Sequence, residues 1–192
     1  MSGKKNVLLN AMEGLVFPFL MKQGFERSQP QHRFHAPNIF DFRRIIGQEV
    51  HCLDFSFDGH LRECFFVNIA EGPISGVPQY GLPPIIVPGR ELCVRDCRSE
   101  RAVLSTRTRL HPLSFVGFLY RKPFRLIRPA DGDWAKAADR TVRQFIDFFP
   151  ECEAWWKNHA YGLHLFRDKD ADSCYKRLDK KYGAWNCQKT TS

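Results

Sequence analysis

Apolar residues recur at three- and four-residue steps near the start of the chain. Val7, Leu8, Met12, Leu15, Val16, Phe19 and Leu20 predict an amphipathic helix over 6–24. Pro18 is expected to bend or end it, and Gly24 to supply its C-terminal stop. From Ile39 to Ile69 the period drops to two. Leu53, Phe55 and Phe57 alternate with Cys52, Asp54 and Ser56. Beyond Asp58-Gly59, the residues Leu61, Phe65, Val67 and Ile69 keep the same parity. This predicts a hairpin. Both apolar sets share one face only if paired residue numbers sum to an even number. A two-residue Asp-Gly loop gives an odd sum. The three-residue loop Phe57-Asp58-Gly59 gives an even one, with glycine at its left-handed position. That register sets Asp54 opposite Arg62 on the outer face and Glu63 opposite Leu53. Shifting the loop by one keeps the faces but moves Glu63 opposite Phe55, and the pattern does not choose between them.

A short strand is expected around Arg33-Phe34. Residues 72–89 carry five prolines and four glycines, which argues against a regular element there. Residues 91–97 and 102–110 read as strands. In the second, Leu104, Thr106, Thr108 and Leu110 share one face and Ser105, Arg107 and Arg109 the other. Phe115–Tyr120 and Phe124–Ile127 are further strand candidates. Asp131 or Asp133 caps a helix whose stripe is Trp134, Ala138, Val142, Phe145 and Phe149. Pro150 stops it or starts a second helix carrying Trp155-Trp156, which Gly162 breaks, and a last helix covers 171–182. The order predicts an α+β fold: a mainly antiparallel sheet of about five to six strands, an N-terminal helix and a C-terminal helical segment. The chain, 1–192, reads as a single domain, with helix 6–24, sheet 33–128 and helical segment 131–183.

Seventeen phenylalanines supply enough apolar area for a sizeable core. The opening residues 1–6 are polar, and Asn10, Glu13 and Pro18 interrupt the apolar run that follows. Neither a signal peptide nor a membrane span is expected, so the protein is placed in the cytoplasm. Seven cysteines with no Cys-x-x-Cys then read as reduced thiols, mostly buried. The formal charge of +8 is concentrated. Between Arg90 and Arg128, nine arginines and one lysine face three acidic residues, a local excess of +7. Such a field attracts an acidic protein surface, a phosphate backbone or an acidic small molecule.

Candidate chemistry is sparse. Asp168-Lys-Asp170-Ala-Asp172, with Asp179 eleven positions after Asp168, resembles the start of a calcium loop. It has Ser173 where that loop needs glycine, and the acidic residues equally suit a helix N-terminus. Cys93-x-x-x-Cys97 could offer two zinc ligands with His111 as a distant third, but no second pair completes the site; alternating strand geometry also suits simple burial. No nucleophile elbow, His-Glu-x-x-His or phosphate loop occurs, although a spatially assembled triad leaves no sequence trace. No cofactor or metal is expected. The partner-binding candidates are Arg95, Arg98, Arg101, Arg107, Arg109, Arg121, Arg125 and Arg128, whose forks match carboxylate or phosphate, with Tyr80, Ile85 and Ile86 as apolar contacts from the Pro/Gly loop. The competing readings are a solvated sheet face and a loop packed on the core.

Short motifs carry one resemblance. Phe19-Leu-Met-Lys-Gln-Gly24-Phe25, Arg33-Phe34, Phe65-Phe66-Val67-Asn68-Ile69, Arg107–Leu110 and Trp155-Trp156 occur in an order that resembles an uncharacterised bacterial domain-of-unknown-function family, over residues 6–157. The Pro/Gly loop is longer than that pattern needs. The resemblance brings no catalytic residues, and by analogy such domains look like toxin-neutralising immunity proteins. The expected function is therefore non-enzymatic: an immunity protein that occludes a toxin's active site, its basic surface meeting an acidic patch. A nucleic-acid-binding protein on the same arginines is the alternative, and an enzyme the second alternative.

Overall fold

A computed structural model describes residues 7–28, 38–57, 63–79, 85–87, 89–94, 96–97, 101–108, 110 and 122–168. Its helices are α1 (Val7–Ala11), α2 (Phe17–Lys22) and α3 (Trp134–Asn158). Strands β1 (Glu26–Arg27), β2 (Ile39–Ile46), β3 (Glu49–Phe57), β4 (Cys64–Pro73), β7 (Arg101–Leu104), β8 (Phe124–Arg125) and β9 (Leu165–Arg167) form one antiparallel sheet. Its order is β1-β2-β3-β4-β7-β9, with β8 also paired to β4. Strands β5 (Val77–Gln79) and β6 (Ile85–Val87) make a separate ribbon. The α+β class is as the pattern predicts, with seven strands in the main sheet.

The N-terminal helical stretch does not break at Pro18. A π-helical turn over Met12–Val16 joins α1 to α2 and widens the backbone just before the proline, which sits in the first turn of α2. There its missing N–H and its ring are tolerated. Gly24, at φ 82°, ends the helix: Phe25 N–H donates to Leu20 C=O and Gly24 N–H to Met21 C=O, both at 3.0 Å.

The central hairpin keeps the expected parity but not the expected register. Phe57 pairs with Phe65, Phe55 with Val67 and Leu53 with Ile69. Phe57 is thus a strand residue, the connection is longer than three residues, and Asp54 faces Asn68 rather than Arg62. Glu63 precedes the strand and lies opposite neither Leu53 nor Phe55. Ring packing explains the slip, because Phe57 and Phe65 centroids stand 5.8 Å apart and Phe65 stacks on Phe124 at 5.0 Å.

Helix α3 runs unbroken through Pro150. Pro150 is exposed, so the carbonyl freed by its missing N–H lies on the water side. The buried stripe, from Ala138, Val142, Phe145 and Phe149 to Cys152, Trp155 and Trp156, keeps both halves docked on the sheet. Asp133 caps the start, accepting from Lys136 N–H at 3.0 Å. His159, at φ 55°, closes the end, its N–H donating to Trp155 C=O at 2.7 Å. Gly162 then lets the chain turn back against α3, since a Cβ there would lie 2.2 Å from a carboxylate oxygen of Glu151. The returning His164 stacks on Phe148 at 3.7 Å and meets Glu151 through Nδ1 at 2.7 Å.

Four further expectations are corrected. The Pro/Gly segment extends β4 to Pro73 and then forms β5 and β6, a ladder short enough for Pro78 to sit opposite Ile86. Residues 91–97 are not a strand. A 3-10 turn at Gly89–Glu91 leads into a tight loop held by Asp96, whose carboxylate accepts from Cys93 N–H at 2.9 Å. Strand β7 stops at Leu104 because Ser105 Oγ accepts the N–H groups of Arg107 and Lys122, each at 3.1 Å, and bends the chain. Likewise β8 stops at Arg125 rather than Ile127. The segments around Arg33-Phe34, 115–120 and 171–182 lie outside the described residues.

The sheet's second face is not a solvated one. Leu92, Val94 and Cys97 from the 89–97 loop pack on Val50, Cys52 and Ala70. Asp54, placed on the outer face by the sequence pattern, is 2% exposed and accepts from Asn68 Nδ2 at 2.6 Å and Ser56 Oγ at 3.1 Å. Burial pushes its carboxyl up to about 6 and the Asp41 charge on β2 adds to the rise, while the Asn68 and Ser56 donors and Arg101 pull the other way.

Candidate functional site: an arginine groove

Two regions gather polar side chains. One is a buried charge knot where β2, β3 and β4 meet the end of α3. Arg44, His51 and Glu71 stand side by side across these strands. Arg44 is buried against the aromatic rings of Phe25 and Trp156, 4.6 and 5.2 Å from their centroids. It donates to Gln23 C=O at 3.2 Å, to His51 Nδ1 at 3.3 Å and to Glu153 Oε2 at 2.5 Å. His51 stacks flat on Trp156 at 5.0 Å, and the Trp156 indole donates to Ala70 C=O at 3.0 Å. His159 Nε2 meets Glu71 Oε1 at 3.2 Å. Burial, reinforced by the Arg44 charge, pushes His51 down to about 4, so it is neutral near pH 7.

The ligating atoms of Glu49, His51 and Glu71 lie within 4.8 Å of one another, the reach of a metal site. The tautomer argues against one. A guanidinium only donates, so His51 Nδ1 accepts and the imidazole proton sits on Nε2. A cation would need that nitrogen's lone pair.

Described residues of the zinc and calcium candidates have partners within the fold. Cys52 Sγ donates to Leu92 C=O and Cys97 Sγ to Cys93 C=O, each at 3.6 Å, and Cys93 Sγ donates to Asp96 at 3.1 Å. The Cys97 contact, then burial, pushes the Cys52 thiol well up, and burial does the same to Cys152. Neither is a thiolate nucleophile at neutral pH. Asp168 is buried and pairs with Arg101 at 3.2 Å, while the rest of that acidic run lies outside the described residues.

The second region is open. Segment 125–131 and one flank of α3 enclose a groove of about 790 Å³. Arg125 and Arg128 line one wall and Arg140 and Arg143 the other, with Ile127, Pro129, Asp131 and Asp147 among the remaining lining residues. A smaller recess of about 350 Å³ shares Arg128 and continues to Trp134. All four arginines are exposed, and none of their guanidinium groups makes a hydrogen bond or ion pair with a described residue.

Of the arginines singled out in sequence, the structure therefore brings Arg125 and Arg128 together. Arg101 turns inward to Asp168, and Arg107 is half-buried at the bend after β7. Ile85 and Ile86 lie on β6, paired with Gln79 and Pro78. Arg95, Arg98, Arg109, Arg121 and Tyr80 lie outside the described residues. Sequence reasoning missed Arg140 and Arg143, although their three-residue spacing on the flank of the α3 stripe marks them as neighbours on one helix side.

Fold and groove define an α+β protein with an arginine-lined surface groove. Comparison with protein-family models, with curated proteins and with solved structures finds no match for the chain. Among the described residues, no helix is long and apolar enough to cross a membrane.

Proposed function

We propose that the chain is a non-enzymatic binding protein that engages an acidic partner protein through the Arg125/Arg128/Arg140/Arg143 groove. One observation carries this: four arginines line a single concavity, and none of their guanidinium groups has a partner among the described residues. Their mutual repulsion is relieved by an anionic occupant, and each offers a planar fork matched to a carboxylate. Ile127, 78% exposed beside them, supplies apolar contact area of the kind a protein partner covers. A single-stranded nucleic acid would need exposed rings to stack on. The aromatic side chain beside the groove is Trp134, half-buried against the core.

In its full form the proposal is an immunity protein acting in the cytoplasm, with the groove covering the acidic active-site rim of a cognate toxin. The field of the groove speeds encounter, and arginines desolvated on docking supply the affinity. Co-expression with the product of the adjacent gene tests it. A complex that survives gel filtration is the expected result. A chain that elutes alone, beside a gene encoding no toxin-like product, overturns the immunity reading. Binding to an oligonucleotide that falls log-linearly with salt would replace it with the nucleic-acid reading.

A further inference from the structure

We infer that the groove seats a short acidic helix of the partner, in which carboxylates one turn apart flank an apolar side chain; this rests on the groove being the partner-binding surface. Arg140 and Arg143 stand three residues apart on one helix, so their Cβ atoms are separated by about 5–6 Å. A pair of Glu side chains at the same helical spacing presents its carboxylates at the matching interval. The opposite wall alternates charge and apolar surface, Arg125, Ile127, Arg128, Pro129. That alternation suits a helix face with an apolar residue between its acids. A uniform anion would leave Ile127 uncovered.

The acidic residues of the groove limit its length. Asp147 lies one turn beyond Arg143 on α3, and Asp131 lies three residues beyond Arg128. A continuous polyanion, carrying a charge at every nucleotide, would run over one of them and meet repulsion. A helix with a local acidic cluster stops short of both.

The probe is a labelled helical peptide of about four turns with Glu pairs at three-residue spacing around Leu, read by fluorescence anisotropy. The comparisons are a scrambled peptide of equal charge and a thymidine oligonucleotide of similar length. The patterned peptide is expected to bind at least about tenfold tighter than the scramble, and Arg140→Gln/Arg143→Gln to weaken it by about tenfold or more. Equal binding of the scramble, or tighter binding of the oligonucleotide, overturns the inference. Circular dichroism confirms that the doubly substituted chain stays folded. The adjacent gene's product, titrated in parallel, separates the two claims. A complex indifferent to both substitutions keeps the binding-protein reading and removes the groove. Peptide binding without any such complex keeps the groove and removes the immunity reading.

Discussion

Arg44 and Arg140 carry the same guanidinium and meet opposite environments. Arg44 lies under Trp156 and Phe25 and spends its donors on Gln23, His51 and Glu153. Arg140 stands exposed in a groove with three other arginines and no described partner. A buried charge without partners is prohibitively costly, so the Arg44 guanidinium has to find its partners within the fold. An exposed one is stabilised by water and can stay unpaired until a ligand arrives. The difference separates charge that builds the structure from charge available to a partner.

The largest expected effect follows from that contrast. Arg44→Ala removes the anchor of the knot, strips a packed stem and head from two rings, and strands Glu153. It should cost about 3–4 kcal/mol, or roughly 10 °C in the melting temperature of a chain this size. Thermal denaturation followed by circular dichroism measures it. A cost below about 1 kcal/mol would mean that the knot is ornamental to stability and that the two regions do not differ as argued.

Titration sharpens the comparison next, because interior groups shift and exposed ones follow solvent. His51 titrates near 6.5 when unfolded and about 4 when folded. Between those values only the unfolded chain binds the proton, so stability is lost as pH falls, by up to about 3 kcal/mol. Asp54 has the opposite sign. Its carboxyl titrates near 3.8 unfolded and about 6 folded, so between pH 4 and 6 the folded chain holds the extra proton. Stability gains about 3 kcal/mol as pH falls through that window. The two slopes nearly cancel. Chemical denaturation of the unaltered protein should therefore be almost flat in these two contributions from pH 6 to 4. Asp54→Asn should expose the acid-destabilising slope of His51, and His51→Gln the acid-stabilising slope of Asp54. Parallel slopes in the two variants would show that one of these groups is not held as the structure has it.

Much of this was legible in the chain and some was not, for identifiable reasons. Apolar periodicity located the N-terminal helix, the hairpin, its parity and the α3 stripe, because burial acts on every residue of a face at once. The knot was missed, although parity carries its signal: Arg44 shares a face with Phe40 and Phe42, and His51 shares one with Leu53 and Phe55. Register failed because it depends on which rings stack across strands, Phe57 with Phe65 and Phe65 with Phe124, and not on alternation. Asp54 was misplaced because a polar residue on an alternating strand reads as solvated, whereas the 89–97 loop and a buried Asn68 make that face an interior. The groove was half visible. Counting charge along the chain found Arg125 and Arg128 but stopped before α3, and only the packing of α3 beside β8 adds Arg140 and Arg143.

The smallest expected effect is the most discriminating for function. Arg140 and Arg143 are exposed, and Arg140→Ala/Arg143→Ala breaks no described side-chain hydrogen bond or ion pair, so stability should change by no more than about 0.5 kcal/mol. The sign should be favourable, because two of four like charges leave a shared groove. Repulsion between exposed charges is screened over about 10 Å at 0.1 M salt and about 3 Å at 1 M, so the gain should shrink as salt is raised. The Arg44→Ala cost should depend less on salt over the same range, because Arg44 itself is buried against Phe25 and Trp156. A salt-independent loss in the double variant would mean that Arg140 and Arg143 are structural after all, and the groove would then hold no free charge for a partner to neutralise.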